Sequence, residues 1–118
     1  MTDHGLVAST LPTFSCNIAS PATPSLGGLS AEIQATASSS GRYGIAKVHF
    51  YYIYNSQYTY IGFADTLDNG YYRKTWTFPS CGECPGDQFQ VVIFPEDTAG
   101  RRSRTLVGRS YRLIGRGC

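Results

Sequence analysis

The chain has 118 residues, enough for one two-layer core and too few for two. Its net charge of +2 gives no general signal for nucleic acid, and only 15% of residues are charged. Tyr, Thr, Ser and Gly are plentiful, a balance that favours strands and turns over helices, and no apolar run reaches the roughly 18 to 20 residues of a membrane-spanning helix.

In chain order, residues 1 to 11 have no periodicity and read as a flexible lead-in, with the domain running from Pro12 to Cys118. The opening "MTDHGLVAST" lacks the basic and apolar regions of a signal peptide, which fits a cytosolic protein or a piece of a longer secreted chain. "LSAEIQATAS" alternates cleanly, with Leu29, Ala31, Ile33, Ala35 and Ala37 assigned inward. "IAKVHFYYIY" sets Val48, Phe50, Tyr52 and Tyr54 on one face and Lys47, His49, Tyr51 and Ile53 on the other. Asn55 and Ser56 form a turn into "SQYTYIGFAD", and "DNG" at 68 to 70 is a second turn. "YYRKTWTF" puts Tyr72, Trp76 and Phe78 inward together with Lys74, a conflict that a bulge or an edge position would relieve if the lysine snorkels. "DQFQVVIF" directs Phe89, Val91 and Ile93 inward and Val92 and Phe94 outward, ahead of the turn "PEDTAGRRS". "RTLVGRSYRLI" is a last strand whose alternation does not fix its register. With a first strand whose latter part holds Cys16, these make seven strand-like segments without helical period and predict an all-β, two-sheet antiparallel sandwich.

The landmarks resemble, in order, those of the bacterial immunoglobulin-like domains of secreted glycoside hydrolases, proteases and surface adhesins. Ile18-Ala19-Ser20-Pro21 matches the opening "I-x-S-P" turn, Leu29 to Ala37 the small-residue strand, and Ile45 to Tyr51 the "V-x-K-V-x-F-Y" strand. Ile61 to Thr66 matches "I-G-x-D-T" with one extra residue, Tyr72 to Trp76 the "Y-x-x-x-W" strand, and Asp97 to Gly100 the closing "D-x-A-G" turn. The match covers roughly residues 12 to 107. Three features depart from it: Phe89 replaces a tyrosine that bonds the preceding turn, Lys74 replaces an apolar residue, and "SCGEC" is an insertion. The resemblance implies an immunoglobulin-like sandwich used as a non-catalytic accessory, spacer or docking module of a secreted or cell-surface protein.

Cys16, Cys81, Cys84 and Cys118 are an even set in a small domain, which favours disulfides and an oxidising compartment. With strands running up and down, all four gather at one pole. A Cys₄ zinc site is the alternative, since Cys81 and Cys84 form one C-x₂-C knuckle, but a second knuckle is lacking. The preferred pairing joins Cys16 to Cys118 and Cys81 to Cys84.

Phe50, Tyr52, Trp76, Phe78 and Phe89 suffice to fill the space opposite the small residues of the alanine-rich strand. The surplus rings lie on the other face of the neighbouring sheet: Tyr51 and Ile53 beside Val92 and Phe94, joined by one alternate set from the next strand, either Tyr58 and Tyr60 or Ile61 and Phe63. An apolar patch of this size marks a contact surface. The candidate binding residues are therefore Tyr51, Ile53, Tyr58, Tyr60 and Phe94. A neighbouring domain or protein partner is the first expectation and a polysaccharide stacked on tyrosine the second.

No residue set points to catalysis: G-x-S-x-G, S-x-x-K and a cleft flanked by paired carboxylates are all lacking. Asp65, Asp68, Glu96 and Asp97 flank turns without the ligand alternation of a calcium loop, and His4 and His49 have no ligand-like spacing. The six arginines after residue 100 read as a solvated edge. A monomer without cofactor, metal or nucleic-acid partner is expected.

Overall fold

The computed structural model describes residues 12–78 and 88–113. Its strands are β1 (Phe14–Ser20), β2 (Ser25–Leu26), β3 (Ser30–Ser39), β4 (Ile45–Tyr54), β5 (Gln57–Ala64), β6 (Leu67–Asp68), β7 (Tyr71–Thr77), β8 (Gln88–Asp97) and β9 (Val107–Leu113). They form a four-stranded sheet in the order β1-β3-β7-β6 and a five-stranded sheet in the order β2-β9-β8-β4-β5. This is the immunoglobulin-like sandwich. The seven expected segments are its long strands, and the two-residue β2 and β6 are additions.

The first strand of the sandwich is shared between the sheets. β1 runs antiparallel to β3, its register shifts between Ile18 and Ser20, and after the cis Ser20–Pro21 bond the chain crosses to pair β2 parallel with Arg112 and Leu113. Two bonds hold the crossing: Arg112 N–H donates to Pro24 O at 2.7 Å and Tyr111 Oη donates to Pro21 O at 2.8 Å. Tyr111 is fully buried, and that burial, opposed by nearby Arg109, pushes its hydroxyl up to about 12. The last strand thus settles into register with Tyr111 and Leu113 inward.

Both signalled turns are present. Asn55 and Ser56 have φ of 51° and 64°, and Asn69 and Gly70 have 52° and 85°, so each closes a tight hairpin with left-handed central residues. Inside, Trp76 packs edge-on against Phe78 at 4.8 Å and lies 5.6 Å from Tyr52 and 5.8 Å from Phe89. Tyr52 and Phe89 face Ile33 and Ala35 of the small-residue strand across the core, whereas Trp76 and Phe78, expected opposite that strand, lie beside it because β7 is its neighbour in the same sheet. The inward assignment holds there, but Leu29 is 77% exposed. It follows Gly28 in a left-handed turn, before β3 begins, and only its carbonyl is used, accepting from Phe78 N–H at 2.9 Å.

Lys74 keeps its inward phase without a bulge in β7. Because β6 covers only Tyr71 and Tyr72, β7 is the edge of its sheet from Arg73 onward. The lysine is half-buried and reaches toward β5, where its Cε and Nζ lie 2.6 and 2.9 Å from the place a Cβ on Gly62 would occupy. Gly62 belongs to a bulge opposite Phe50 and Tyr51, with φ of 139°. Gly62→Ala should lower stability by about 1–2 kcal/mol, chiefly through this backbone angle. A Lys74→Ala background should leave that loss largely unchanged, since the flexible lysine end can swing aside; rescue of more than half in a urea-denaturation cycle would contradict it.

Candidate functional site

The outer face of the five-stranded sheet carries the surplus rings. Its pattern follows from the β5 bulge. Ile53 pairs with Tyr58 and Tyr51 with Tyr60, but Phe50 pairs with Gly62 and His49 with Phe63, so Ile61 is an extra residue. The phase flips there. Tyr58, Tyr60 and Phe63 all project outward, while Ile61 packs against the core. The sequence offered one pair or the other; the bulge turns outward both tyrosines of the first pair and Phe63 of the second.

Tyr58, Tyr60 and Phe63 are 59, 47 and 42% exposed, and Tyr51, Ile53 and Phe94 are half-buried beside them. Tyr51 lies 4.9 Å from Tyr60, 6.5 Å from Tyr58 and 5.9 Å from Phe94. Lys47 places its ammonium 4.4 Å above the Phe63 ring. All five candidate binding residues therefore sit on one face. Val92, expected to be part of the exposed patch, is only 3% exposed and belongs to the floor beneath the rings.

His49 is the residue that sequence reasoning passed over. It is 6% exposed, stacks on Phe94 at 4.9 Å, and bonds on both ring nitrogens: Nε2 to Glu96 Oε1 at 2.8 Å and Nδ1 to Tyr60 Oη at 3.0 Å. A carboxylate only accepts, so Nε2 carries the hydrogen; in the neutral ring Nδ1 then accepts the Tyr60 O–H. Glu96 also receives Arg102 Nε at 3.0 Å. The bond from His49 comes first in holding the Glu96 carboxyl below its ordinary range, against the cost of burial and with help from Arg102. Tyr60 moves the other way, raised by burial and by neighbouring Tyr51 and Glu96 against the pull of Arg102. The network fixes Tyr60 in place. No spacing in the sequence announces it, because Tyr60, His49 and Glu96 sit on three different strands.

The adjoining turn is held by Asp97, whose side chain is buried. Burial pushes its carboxyl up, but donation from Arg101 N–H at 2.8 Å, Arg101 Nε at 2.9 Å and Ala99 N–H at 3.0 Å outweighs that and lowers it. Arg101 also lies 5.2 Å above the Tyr43 ring. Arg101 and Arg102 are thus ion-paired, where a solvated edge was expected.

Cys16 is half-buried, and burial pushes its thiol up. It has no disulfide among the described residues, and Cys81, Cys84 and Cys118, which carry the rest of the pairing scheme, lie outside them. No group of three or more His, Cys, Asp or Glu among the described residues is arranged to hold a metal. No helix there is long and apolar enough to cross a membrane.

No family model and no curated protein matches the chain. Among solved structures it is similar to the Cu(I) NMR structure of the chitin-active lytic polysaccharide monooxygenase BlLPMO10A, with a TM-score of 0.50 and 8% identity over 78% of this chain. The matched region is 58% of that protein's length, and at such identity the likeness is one of fold. Murine CRIg matches over 92% of this chain and 100% of its own, with 12% identity and a TM-score of 0.45.

Glu96 and Asp97 have folded-state pKa values below their ordinary ones, so each contributes stability that is complete above the usual carboxyl range and is lost as pH falls through the lowered values. Thermal midpoints should therefore hold from neutrality to about pH 5 and drop below about pH 4. Asp97→Asn should lower the midpoint at pH 7 and flatten the acid limb, as differential scanning fluorimetry across pH would show. Tyr60→Phe, which keeps the ring and removes one hydroxyl bond, should cost about 0.5–1.5 kcal/mol in chemical denaturation.

Proposed function

We propose that this chain is a non-catalytic immunoglobulin-like module that docks a neighbouring domain or protein partner through the outer face of its five-stranded sheet, within a larger secreted or surface-attached polypeptide. One observation carries the reading: Tyr58, Tyr60 and Phe63 stand exposed in a single file beside Tyr51 and Phe94, with Tyr60 pinned by His49. Aromatic side chains held rigid in this way lose little entropy on binding and bury large areas, which is how interface centres are built.

Ring orientation weighs on the choice of partner. A flat sugar ribbon stacks best on coplanar rings, whereas Tyr51 is tilted 53° to Tyr60 and 77° to Tyr58. This corrugated surface suits interdigitating side chains better than a polysaccharide sheet, so a carbohydrate-binding module is the second reading. The accessory role follows the resemblance of the sequence landmarks to secreted multidomain proteins.

The test is hydrogen-exchange footprinting of the domain alone and within its full native polypeptide. Protection should gather on β4, β5 and β8, and a Tyr51→Ala, Tyr60→Ala double variant should abolish it while the domain stays folded. An unchanged footprint on this face would sink the docking role. Retention on insoluble polysaccharide, lost in the same variant, would replace it with the sugar-binding reading.

A further inference from the structure

The five-stranded sheet ends in β5, and residues 57–60, ahead of the bulge and of the Lys74 arm at Gly62, leave this edge unguarded. Protein edges are commonly blunted by charge, proline, bulges or brevity. The other edges here have such devices. β9 beyond the reach of β2 carries Arg109 at an inward position, opposite Val91; β1 shifts register before Pro21; and β6 is two residues long. By contrast Gln57–Ala64, "QYTYIGFA", has no charge and no proline, and its bulge begins only after Tyr60.

The backbone of Gln57–Tyr60 has a defined polarity. The two-residue turn at Asn55 and Ser56 is closed by Tyr54 and Gln57, which makes them a hydrogen-bonded pair. Alternation then gives Tyr52 and Thr59 the next reciprocal bonds, and leaves the N–H and C=O groups of Tyr58 and Tyr60 directed away from β4. Among the described residues no backbone bond outside the β4 ladder reaches them.

We propose that this edge pairs antiparallel with the same edge of a second copy, about a two-fold axis at Thr59. Three features select a copy of this chain over a foreign strand. The segment Tyr58-Thr59-Tyr60 reads identically in both directions, so antiparallel pairing about Thr59 sets tyrosine opposite tyrosine on both sides of the axis. Its outward backbone groups fall at the two positions that exchange reciprocal bonds when Thr59 faces the partner's Thr59. It also carries no charge to repel its copy. In the pair, Tyr58 bonds the partner's Tyr60 and Tyr60 the partner's Tyr58, and the sheets join into one with the aromatic files side by side. A monomer was the expectation for the isolated domain; the edge points to reversible association, weak because the contact is small.

Sedimentation equilibrium under reducing conditions tests this. The weight-average mass should climb toward the dimer over about 0.1–1 mM, a range that fits a small interface. Thr59→Lys and Thr59→Glu, each at an exposed position, should stay monomeric when alone and associate when mixed, since like charges oppose one another across the axis and unlike charges pair. A second route does not depend on charge. Thr59→Cys should form an interchain disulfide on mild oxidation, because facing residues of a non-hydrogen-bonded pair lie about 4.5 Å apart at Cα, within disulfide reach.

A monomer at about 1 mM, a dimer untouched by both charged variants, or no peptide joining position 59 of two copies would each overturn the proposal. The Tyr51→Ala, Phe94→Ala face variant should leave the association intact. Edge pairing and docking by the face therefore stand or fall separately.

Discussion

One inserted residue organises the outer surface of this sandwich. A strand alternates strictly, so without Ile61 as an extra member β5 would have to turn Phe63 toward the core to keep Tyr58 and Tyr60 outside. The bulge frees Phe63 to join the outer rings and brings Ala64 inside, where it is buried. The space left under Gly62 is taken by the arm of Lys74. Three oddities of the sequence, a lysine in an inward phase, an "IGF" break in alternation and a surplus of rings, thus have a common origin.

The network of His49, Tyr60, Glu96 and Arg102 then converts that surface from a set of side chains into a fixed shape. Exposed tyrosines ordinarily sample several rotamers, and ordering them on contact costs free energy. Here the Tyr60 hydroxyl is held by a buried imidazole, which is itself clamped between Phe94 and a carboxylate. The cost is met in folding.

What could be read from the chain was whatever is local. Strand phase gave the core from Ile33, Phe50, Trp76 and Phe89, and left-handed turn residues marked Asn55-Ser56 and Asn69-Gly70, because a two-residue period and a positive φ leave traces in neighbouring positions. Leu29 escaped since alternation does not say where a sheet stops. The parallel pairing of β2 escaped because two residues have no period. His49 escaped for a different reason: its partners are 11 and 47 positions away, and only the register of three strands brings them together.

The two ends of β8 meet solvent chemistry in opposite ways. At one end the Asp97 carboxylate collects the donors of its turn, an arrangement that works only while it is ionised. Eight residues away, about 25 Å along the strand, Phe89 pairs with Tyr111, whose un-ionised hydroxyl latches the crossing at Pro21 and, with its acidity shifted to about 12, survives until strongly alkaline conditions. Proton excess therefore attacks the sandwich from one pole and proton depletion from the other, so that fraying at either extreme starts far from the opposite latch.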